Sequence, residues 1–421
     1  MRSIVFTSLF AAFATCTPTE VEADVVSYDG YKVFRVTTHG QTASVQETLS
    51  ALPHDEWAHD IDHVDIAISP DQVEAFTALG LDYHVMHENL GNSIALEAAS
   101  TTSWKRQADD PSWFSSYHSY QDHIEYFEDL QATFPNNSEL ITSGTSYQNR
   151  TIYGLHLYGD GGPGKPAVLY HGTVHAREWI AAPVVEYITL QLLQGYETGD
   201  TKTFLDKYDF YVFPIVNPDG FVYSQTTNRL WRKNRQPPPA GQTCIGRDIN
   251  RNWEFAWNAN GQGASTNPCS ETYKGVKPSD APENASLDGF LRKLRDSVGI
   301  KLYIDWHSYG QYILSPYGYS EDVLAPELSK WTATSSQVSN AIRDSSSRRT
   351  TFTYGPSGAT LYITTGSAPD HVYSIGGADY SYTIELPDTG DYGFVLPPAQ
   401  IRPTAEELWA GQKVLLSLLE Q

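Results

Sequence analysis

Two histidines and one glutamate offer the ligand set of a catalytic zinc ion. His175 and Glu178 belong to the segment His-Ala-Arg-Glu-Trp (175–179), and His307 stands far downstream in Ile-Asp-Trp-His-Ser (304–308). Catalytic zinc sites use three protein ligands and keep a fourth position for water. A His and a Glu three positions apart can face a common point where a strand end turns into a helix, and the third ligand must come from a distant strand. Roughly one His-x-x-Glu is expected by chance in such a chain, so the surrounding elements must decide.

Arginine and amide side chains cluster in two further segments of an acidic chain. These are Asn-Arg-Leu-Trp-Arg-Lys (228–233) and Asp-Ile-Asn-Arg-Asn-Trp (248–253). A planar guanidinium group matches the geometry of a carboxylate, so both segments are candidates for binding an anionic group. The alternative is that these arginines are solvated surface residues, which is the more common situation for either segment taken alone.

Composition limits the size of the core and the choice of partners. The chain has 421 residues, of which 40% are hydrophobic, so more than one domain is expected. Its formal net charge of −22 argues against a nucleic-acid partner, because phosphate binding requires clustered Lys and Arg. No stretch reaches the ~18 uninterrupted apolar residues of a membrane helix, so no membrane span is expected.

The first residues indicate export. Residues 1–14 contain Arg2, an apolar run and the small-residue pattern Ala-Phe-Ala, which predicts a signal peptide. The cut is expected after position 14, or as late as position 23 after Val-Glu-Ala. The protein is therefore expected to be secreted and extracellular. Glycan acceptors of the Asn-x-Ser/Thr type fit that route, and they occur at Asn136, Asn149 and Asn284.

Cys244 and Cys269 are the cysteines that remain after Cys16, which lies in or beside the predicted signal. An oxidising compartment would let them form a disulfide. Metal ligation is the competing explanation, but it would need further Cys or His close to the pair, and the sequence has none there. Closing a loop of this length would stabilise the fold by about 3–4 kcal/mol through chain entropy.

Residues 24–100 have the pattern of a small separate unit. Strand-like runs alternate with a helical pattern in the order strand 31–36, strand 63–68, helix 70–79 and short strand 82–86. Acidic residues outnumber basic ones here, and no spacing typical of metal ligands is present.

A small polar stretch, Ala-Ala-Ser-Thr-Thr-Ser (98–103), follows this unit and precedes the dibasic pair Lys105-Arg106. A dibasic pair in an exposed linker of an exported chain invites proteolytic processing. We therefore predict a cut near Arg106 by a processing protease, which would release residues 107–421. Two ordinary surface charges are the alternative.

The remainder of the chain alternates strands with helices. Dense apolar runs predict buried strands, and helical periodicity predicts the helices between them. The strands are expected at 167–171, 210–216, 300–306 and 380–386, and the helices at 180–194 and 287–298. Thr404 and Glu407 predict a capping box at the start of a C-terminal helix.

This alternation implies a largely parallel sheet with helices on both faces. In such sheets, ligands gather at the carboxyl ends of the strands. His175 closely follows one predicted strand, His307 ends another, and Glu385 lies near the end of a third. Three chemically useful groups are therefore expected at one edge of the sheet.

Taken together, these segments resemble the zinc metallocarboxypeptidases of the carboxypeptidase A/B type. The resemblance spans nearly the whole chain, and its motifs occur in family order. They are His-Ala-Arg-Glu-Trp (175–179), Asn-Pro-Asp-Gly (217–220), Asn-Arg-Leu-Trp-Arg-Lys (228–233), Asp-Ile-Asn-Arg-Asn-Trp (248–253), Pro-Cys-Ser-Glu-Thr-Tyr (268–273), His-Ser-Tyr-Gly-Gln (307–311) and Glu-Leu-Pro-Asp-Thr-Gly (385–390).

The resemblance implies an α/β fold with a mixed, mostly parallel twisted sheet and helices on both faces. A small α+β open-sandwich prodomain would precede it, so that residues 24–106 form an activation prosegment and residues 107–421 the catalytic domain. The implied activity is the release of single C-terminal residues from peptides or proteins by a zymogen-derived enzyme. Nothing demands more than a monomer.

The resemblance also implies roles for the residues around the metal. His175, Glu178 and His307 would hold one Zn²⁺ ion per chain. Asp248 would fix the tautomer of His175 from behind. Glu385 would be the general base that takes the proton of the attacking water and passes it to the leaving amine.

The remaining roles concern the substrate. Arg232 would stabilise the oxyanion that develops on the scissile carbonyl. Asn250 and Arg251 would hold the terminal carboxylate of the substrate, which restricts the enzyme to chain ends. Arg177 would help to bind the residues upstream.

The specificity pocket follows from the same resemblance. Tyr362 matches the family's mobile tyrosine, and His371 stands where the family usually has Trp. Pro369 occupies the position that is acidic in relatives specific for Lys or Arg, and Gly318 would leave space opposite. At the position of Asp370, the family has an acidic residue irrespective of substrate specificity. A preference for aromatic or large aliphatic C-terminal residues is therefore expected.

Two other functions are compatible with parts of this pattern. A non-catalytic relative that only grips peptide C-termini would be expected to have lost a ligand or the base, whereas His175, Glu178, His307, Arg232 and Glu385 are all present. Hydrolysis of a non-peptide amide that carries a free carboxylate is compatible with the Asn and Arg clamp, and substrate assays would decide between them.

Overall fold

The computed structural model describes residues 25–98 and 110–419, which form two units. The predicted signal peptide, Cys16 and the dibasic pair Lys105-Arg106 lie outside the described residues. Export and processing therefore stay predictions. Among the described residues, no helix is both long and apolar enough to cross a membrane.

The N-terminal unit, residues 25–98, is built on one antiparallel sheet. Its elements are β1 Lys32–Thr37, α1 Thr42–Leu49, β2 Asp55–His59, β3 His63–Ile68, α2 Val73–Thr77, β4 Tyr83–His87 and α3 Leu90–Ala98. The strands pair in the order β2-β3-β1-β4.

The two faces of this sheet have different partners. On β3, Val64 and Ile66 are buried together with Leu49 of α1 and Phe76 of α2, so both helices cover this face. Asp65 points to the opposite face because successive strand residues alternate. That face lies against the C-terminal unit.

The C-terminal unit, residues 110–419, alternates strands and helices. Its strands are β5 Ser138–Thr145, β6 Thr151–Leu157, β7 Ala167–Gly172, β8 Asp209–Phe213, β9 Ile300–Ser308, β10 Tyr312–Ser315, β11 Thr353–Pro356 and β12 Tyr380–Leu386. Its helices are α4 Tyr120–Thr133, α5 Ala181–Thr198, α6 Lys202–Lys207, α7 Pro218–Thr226, α8 Pro282–Ser297, α9 Leu328–Ser345, α10 Ser357–Thr360, α11 Ala368–Ser374 and α12 Ile401–Leu418.

The strands of this unit form one mixed sheet of eight strands in the order β11-β10-β12-β9-β7-β8-β6-β5. The central strands β12, β9, β7 and β8 run parallel, and they are the strands predicted from dense apolar runs. This confirms the mixed, mostly parallel α/β sheet. The edge strands β5 and β11 are only partly buried and lack an apolar run that could have predicted them.

Helices cover both faces of the large sheet. On one face, α5, α9 and α12 share a core cluster with Tyr170 and Ile304. On the other face, α8 and α11 pack with Leu169 and Tyr303. Strands β7 and β9 contribute to both clusters, as expected for strands that are buried on two sides.

Two predicted boundaries are wrong because of proline. Helix α2 is shorter than the predicted helix at 70–79, because Pro70 begins a turn that continues to position 72. Strand β8 ends at Phe213 rather than at position 216, since Pro214 has no N–H group to continue the ladder.

The predicted capping box of Thr404 and Glu407 is also wrong. Helix α12 begins at Ile401, so both residues lie inside it. Pro403 is accommodated in the first turn, where its missing N–H group is not needed. Arg348 instead bonds both side chains, with Nη2 lying 3.3 Å from Thr404 Oγ1 and 2.6 Å from Glu407 Oε1.

The three glycan acceptors differ in their accessibility. Asn136 and Asn149 are exposed, so glycosylation at these positions stays a prediction. Asn284 is fully buried at the start of α8, and its amide donates to Ile249 O over 2.9 Å. The folded chain has no room for a glycan at Asn284.

Cys244 and Cys269 form the predicted disulfide, which joins positions 25 residues apart. The loop that it closes contains Asp248, Asn250 and Arg251. Beside the bridge, Lys233 Nζ donates to Pro268 O over 2.7 Å. The covalent link therefore restrains the segment that was predicted to hold the substrate carboxylate.

Removal of this bridge should destabilise the protein measurably. We expect the double variant Cys244→Ser/Cys269→Ser to lose about 3–4 kcal/mol of unfolding free energy, because the unfolded chain regains loop entropy. Urea unfolding with and without a reductant measures this, and reduced wild type serves as the matched control. An unchanged midpoint in both would contradict the expectation.

Candidate active site

The carboxyl edge of the parallel strands carries the candidate metal ligands. His175 follows the end of β7 closely, and Glu178 lies in the connection from β7 to α5. His307 is the penultimate residue of β9. Because β7 and β9 are parallel neighbours, their carboxyl ends lie side by side.

The three side chains meet at one point. His175 Nδ1 lies 2.7 Å from Glu178 Oε1, and His307 Nδ1 lies 3.1 Å from Glu178 Oε2 and 3.1 Å from His175 Nδ1. All three residues are buried, and one ligand atom from each lies within 4.8 Å of the others. Burial opposes ionisation of Glu178, but His175 and His307 hold its pKa well below the ordinary value.

The ring nitrogens that point away from this cluster contact carboxylates. His175 Nε2 lies 3.2 Å from Asp248 Oδ1, and His307 Nε2 lies 2.9 Å from Asp305 Oδ2. A carboxylate at Nε2 keeps the proton there and leaves the Nδ1 lone pair free for a metal. Two lone pairs and a carboxylate that face one another are stabilised by a cation. The donor set therefore fits zinc.

Asp248 links His175 to two of the predicted substrate groups. Its Oδ1 also accepts from Asn250 N over 2.9 Å, and its Oδ2 accepts from Arg232 Nη2 over 2.8 Å. Burial alone would raise the pKa of Asp248, but Arg232 and then His175 hold it well below the ordinary value.

Glu385 stands beside the metal ligands. It is the penultimate residue of β12 and pairs in register with His307 on β9. Its side chain lines the cavity, and burial raises its pKa to about 8, although His307 opposes this. A carboxyl group that takes up and releases a proton near neutral pH is suited to general acid–base chemistry.

The predicted carboxylate clamp lies on the same cavity. Asn250 Oδ1 accepts from Ala368 N over 2.8 Å, which fixes the orientation of the amide. Arg251 Nε donates to Gly263 O over 2.7 Å, and Arg251 Nη1 donates to Asn250 O over 3.0 Å. Asn250 and Arg251, together with Arg232, line a cavity of about 270 Å³.

Only some of the other predicted substrate residues line the cavity. Tyr362 and Pro369 line the cavity, whereas Arg177 is buried with its guanidinium 4.1 Å from the ring centre of Phe394, a wall residue. Gly318 does not leave open space as expected. A Cβ atom there would meet Thr364 Oγ1 at 2.2 Å, because the threonine hydroxyl fills the gap.

The acidic residue next to Pro369 is turned into the backbone. Asp370 accepts from Gly318 N at 2.9 Å and 3.0 Å and from Tyr319 N at 3.1 Å. Burial raises its pKa to about 7, although these backbone donors oppose the shift. Its oxygens are therefore occupied.

The N-terminal unit covers the mouth of the cavity. Trp57, His59 and Asp60 of this unit are among the lining residues. The ring of His59 lies 4.7 Å from the ring of Tyr362, and Tyr312 donates its hydroxyl proton to Asp60 Oδ2 over 3.0 Å. These contacts place one unit directly over the candidate site of the other.

Hydrogen bonds from the Arg35–Asp65 pair of the N-terminal unit, and an ion pair at Glu97, hold the two units together. Asp65 accepts from Tyr309 Oη over 2.6 Å and from Arg35 Nε and Nη2 over 2.6 Å each. Arg35 also donates to Thr389 O. At the other end of the interface, Glu97 of α3 pairs with Arg229 through two bonds of 2.6 Å and 2.8 Å.

Two features of the site were not predicted. Asp305 is not marked by any motif, although its position two residues before His307 in a strand places both side chains on one face. The contacts of Asp60 and Asp65 were also missed, because a charged residue in an acidic unit gives no sign of its partner.

Comparisons with known proteins agree on one family. Residues 123–411 match the family described as zinc carboxypeptidase. A metallocarboxypeptidase A-like protein of Trichophyton verrucosum (strain HKI 0517) is 42% identical over 414 residues, which cover 95% of this chain and 96% of the relative. Metallocarboxypeptidase A of Trichophyton tonsurans is 42% identical over 427 residues, which cover 99% of each chain.

Solved structures share the fold across both units. Thrombin activatable fibrinolysis inhibitor superposes with a TM-score of 0.84 at 28% identity, covering 93% of this chain and 99% of that chain. Carboxypeptidase A from Helicoverpa armigera gives a TM-score of 0.80 at 28% identity, covering 93% and 98%. With this agreement in sequence, fold and donor set, the chain belongs to the zinc carboxypeptidase family and is a zinc-dependent peptide hydrolase.

Proposed function

We propose that this chain is a secreted carboxypeptidase zymogen whose active form removes single residues from peptide C-termini. One observation supports this most strongly. A single cavity is lined by the three metal donors, the carboxylate Glu385 and the cationic and amide groups of Arg232, Asn250 and Arg251.

His175, Glu178 and His307 would hold the zinc ion, since their ligand atoms converge. When bound, zinc supplies a Lewis acid that lowers the pKa of water and polarises a carbonyl group. Glu385, in register with His307, would take a proton from the attacking water and give it to the leaving amine. Arg232 would donate to the oxyanion, because Asp248 holds its guanidinium at the cavity wall.

The proposed restriction to chain ends depends on the negative charge of the substrate's terminal carboxylate. Arg251 and Asn250 would bind the terminal carboxylate of the substrate, whose two oxygens match a guanidinium fork. An internal peptide bond offers no such carboxylate, so chain ends are selected. Tyr362 lines the same cavity and would pack against the bound C-terminal residue.

The preference for large apolar C-terminal residues rests on the rest of the cavity wall. Leu314, Leu361 and Pro369 line it, and the nearby Asp370 is engaged by backbone N–H groups. A substrate Lys or Arg would then have no free carboxylate to pair with.

Replacement of Glu385 by Gln tests the catalytic proposal. We expect Glu385→Gln to retain zinc and to lose at least about 100-fold in kcat/KM on a C-terminal peptide, because a positioned base is removed. Elemental analysis and peptide hydrolysis measure the two quantities. Wild type stripped by a chelator and reloaded with zinc is the control for metal dependence. Activity of the variant within a few-fold of wild type would refute the role of Glu385.

Blocked dipeptides that end in Phe or Arg test the substrate preference. Burial of a large apolar side chain contributes about 1.5–3 kcal/mol, so we expect kcat/KM for Phe to exceed that for Arg at least tenfold. Pro369→Asp is the matched variant, and it should shift the ratio toward Arg by supplying a carboxylate. Equal turnover of both substrates by wild type would contradict the proposed preference.

The zymogen proposal rests on the cover formed by the N-terminal unit. Its residues Trp57 and His59 occupy the cavity mouth, and its Asp65 is anchored to Tyr309 of the C-terminal unit. This cover would hinder the approach of a peptide chain to the metal donors. Cutting near Lys105-Arg106 would remove the covalent tether.

A variant that cannot be cut tests this. We expect Lys105→Ala/Arg106→Ala to hydrolyse peptides at least about tenfold more slowly than processed wild type. The contacts that hold the N-terminal unit over the cavity need to contribute only about 1.4 kcal/mol for a tenfold effect. Adding Asp65→Asn, which removes charge-assisted bonds worth about 1.5–3 kcal/mol, should restore part of the activity without a cut. Full peptide turnover by the uncut variant with Asp65 intact would overturn the zymogen proposal.

A further inference from the structure

A second carboxylate stands behind the paired histidines, and its position suggests a function. Asp305 is 1% exposed, and its Oδ2 lies 2.9 Å from His307 Nε2. Tyr303, Asp305 and His307 alternate along β9 and so point to the same face of the sheet, the one covered by α8 and α11. Any role for Asp305 in metal binding depends on the proposed role of His307 as a metal ligand.

The neighbours of Asp305 on the two adjacent strands are a histidine and a threonine. Asp305 pairs in register with His171 on β7 and with Thr383 on β12. His171 Nδ1 lies 3.1 Å from the hydroxyl of Tyr303, and burial lowers the pKa of His171 to about 4, although Asp305 opposes this. His171 is therefore a neutral neighbour near pH 7.

Asp305 also differs from Asp248, the carboxylate behind the other histidine. Asp248 is shared among His175, Arg232 and the backbone N–H of Asn250. Neither oxygen of Asp305 makes a well-aligned hydrogen bond to a residue that the structure describes, and its 2.9 Å approach to His307 Nε2 is a close electrostatic contact. Among the described residues, the close polar contact of Asp305 is with His307 Nε2.

Asn250 is a competing hydrogen-bond donor to His307 Nε2. The two neighbours of this nitrogen therefore favour different positions of the His307 proton. Asn250 Nδ2 lies 3.5 Å from His307 Nε2, and the bond from Ala368 N to Asn250 Oδ1 holds the amide in that orientation. Donation from the amide would place the lone pair on Nε2 and the proton on Nδ1, where it would block a metal. The amide is the better aligned of the two, but the carboxylate is charged and lies closer, at 2.9 Å, so its electrostatic attraction favours a proton on Nε2.

We propose that Asp305 is a positioning residue that holds the His307 proton on Nε2 and thereby keeps Nδ1 available for zinc. The two metal-binding histidines would then have separate carboxylate partners, with Asp248 shared with the substrate groups and Asp305 dedicated to the metal.

Asp305→Asn tests this, since it keeps the shape and removes the charged acceptor. Zinc affinity of the full chain is measured by competition with a chromophoric chelator, and unfolding of the metal-free protein is measured in parallel. We expect the zinc dissociation constant to rise about 10–100-fold, as is typical when a ligand's hydrogen-bond partner is lost. The metal-free unfolding midpoint should not fall, because the substitution removes a buried carboxylate without creating a cavity.

Tyr170→Phe is the matched control, because it removes a buried hydroxyl from the opposite face of β7, where Tyr170 donates to Gln412 Oε1 over 3.0 Å. Its zinc affinity should equal that of wild type. An Asp305→Asn dissociation constant within twofold of wild type, or a fall in metal-free stability with unchanged affinity, would overturn the proposal. If wild type binds no zinc, the proposed metal site of His175, Glu178 and His307 would itself be refuted.

A second measurement serves if the variant does not fold. Long-range ¹H–¹⁵N NMR of the histidine rings in the zinc-loaded and metal-free wild type reports which nitrogen carries the proton. We expect His307 to carry it on Nε2 in both forms. An Nδ1–H tautomer in the metal-free form would show that Asp305 does not control the ring, and would overturn the inference.

Discussion

The site depends on holding two imidazole nitrogens and a carboxylate together in a cluster that is buried away from water. The Nδ1 atoms of His175 and His307 lie 3.1 Å apart with Glu178 beside both. Such a cluster does not assemble from mobile side chains, because each group would prefer water. The parallel strands β7 and β9 impose it by ending at the same edge, and burial prevents the rings from turning outward.

One carboxylate connects the candidate metal donors to the groups proposed to bind the substrate. Asp248 touches His175 on one side and Arg232 on the other, and the same loop continues into Asn250 and Arg251. The disulfide that closes this loop therefore restrains both halves at once. Asp248 thus balances the charge of Arg232, and of Arg251 at 4.0 Å, while it also contacts His175.

The sequence was sufficient to predict the position of a site residue where that residue lies at the end of a strongly apolar strand. His175, His307 and Glu385 follow apolar runs of buried parallel strands, and the structure places them together. Prediction failed where the outcome depends on partners distant in the chain. Gly318 could not be seen to face Thr364, and Asp305 has no neighbour in the sequence that marks it as a partner of His307 rather than a solvated acid.

The register between β12 and β9 has a consequence for how this fold can vary. Glu385 sits directly across from His307, and side chains in a strand reverse direction at every residue. Deleting or inserting one residue upstream within β12 would turn Glu385 toward the α5 and α12 side, and the same change within β9 would turn His307 away from the other metal donors. Because the core side chains of the strand would reverse as well, length variation among descendants of this chain should accumulate in the connecting loops.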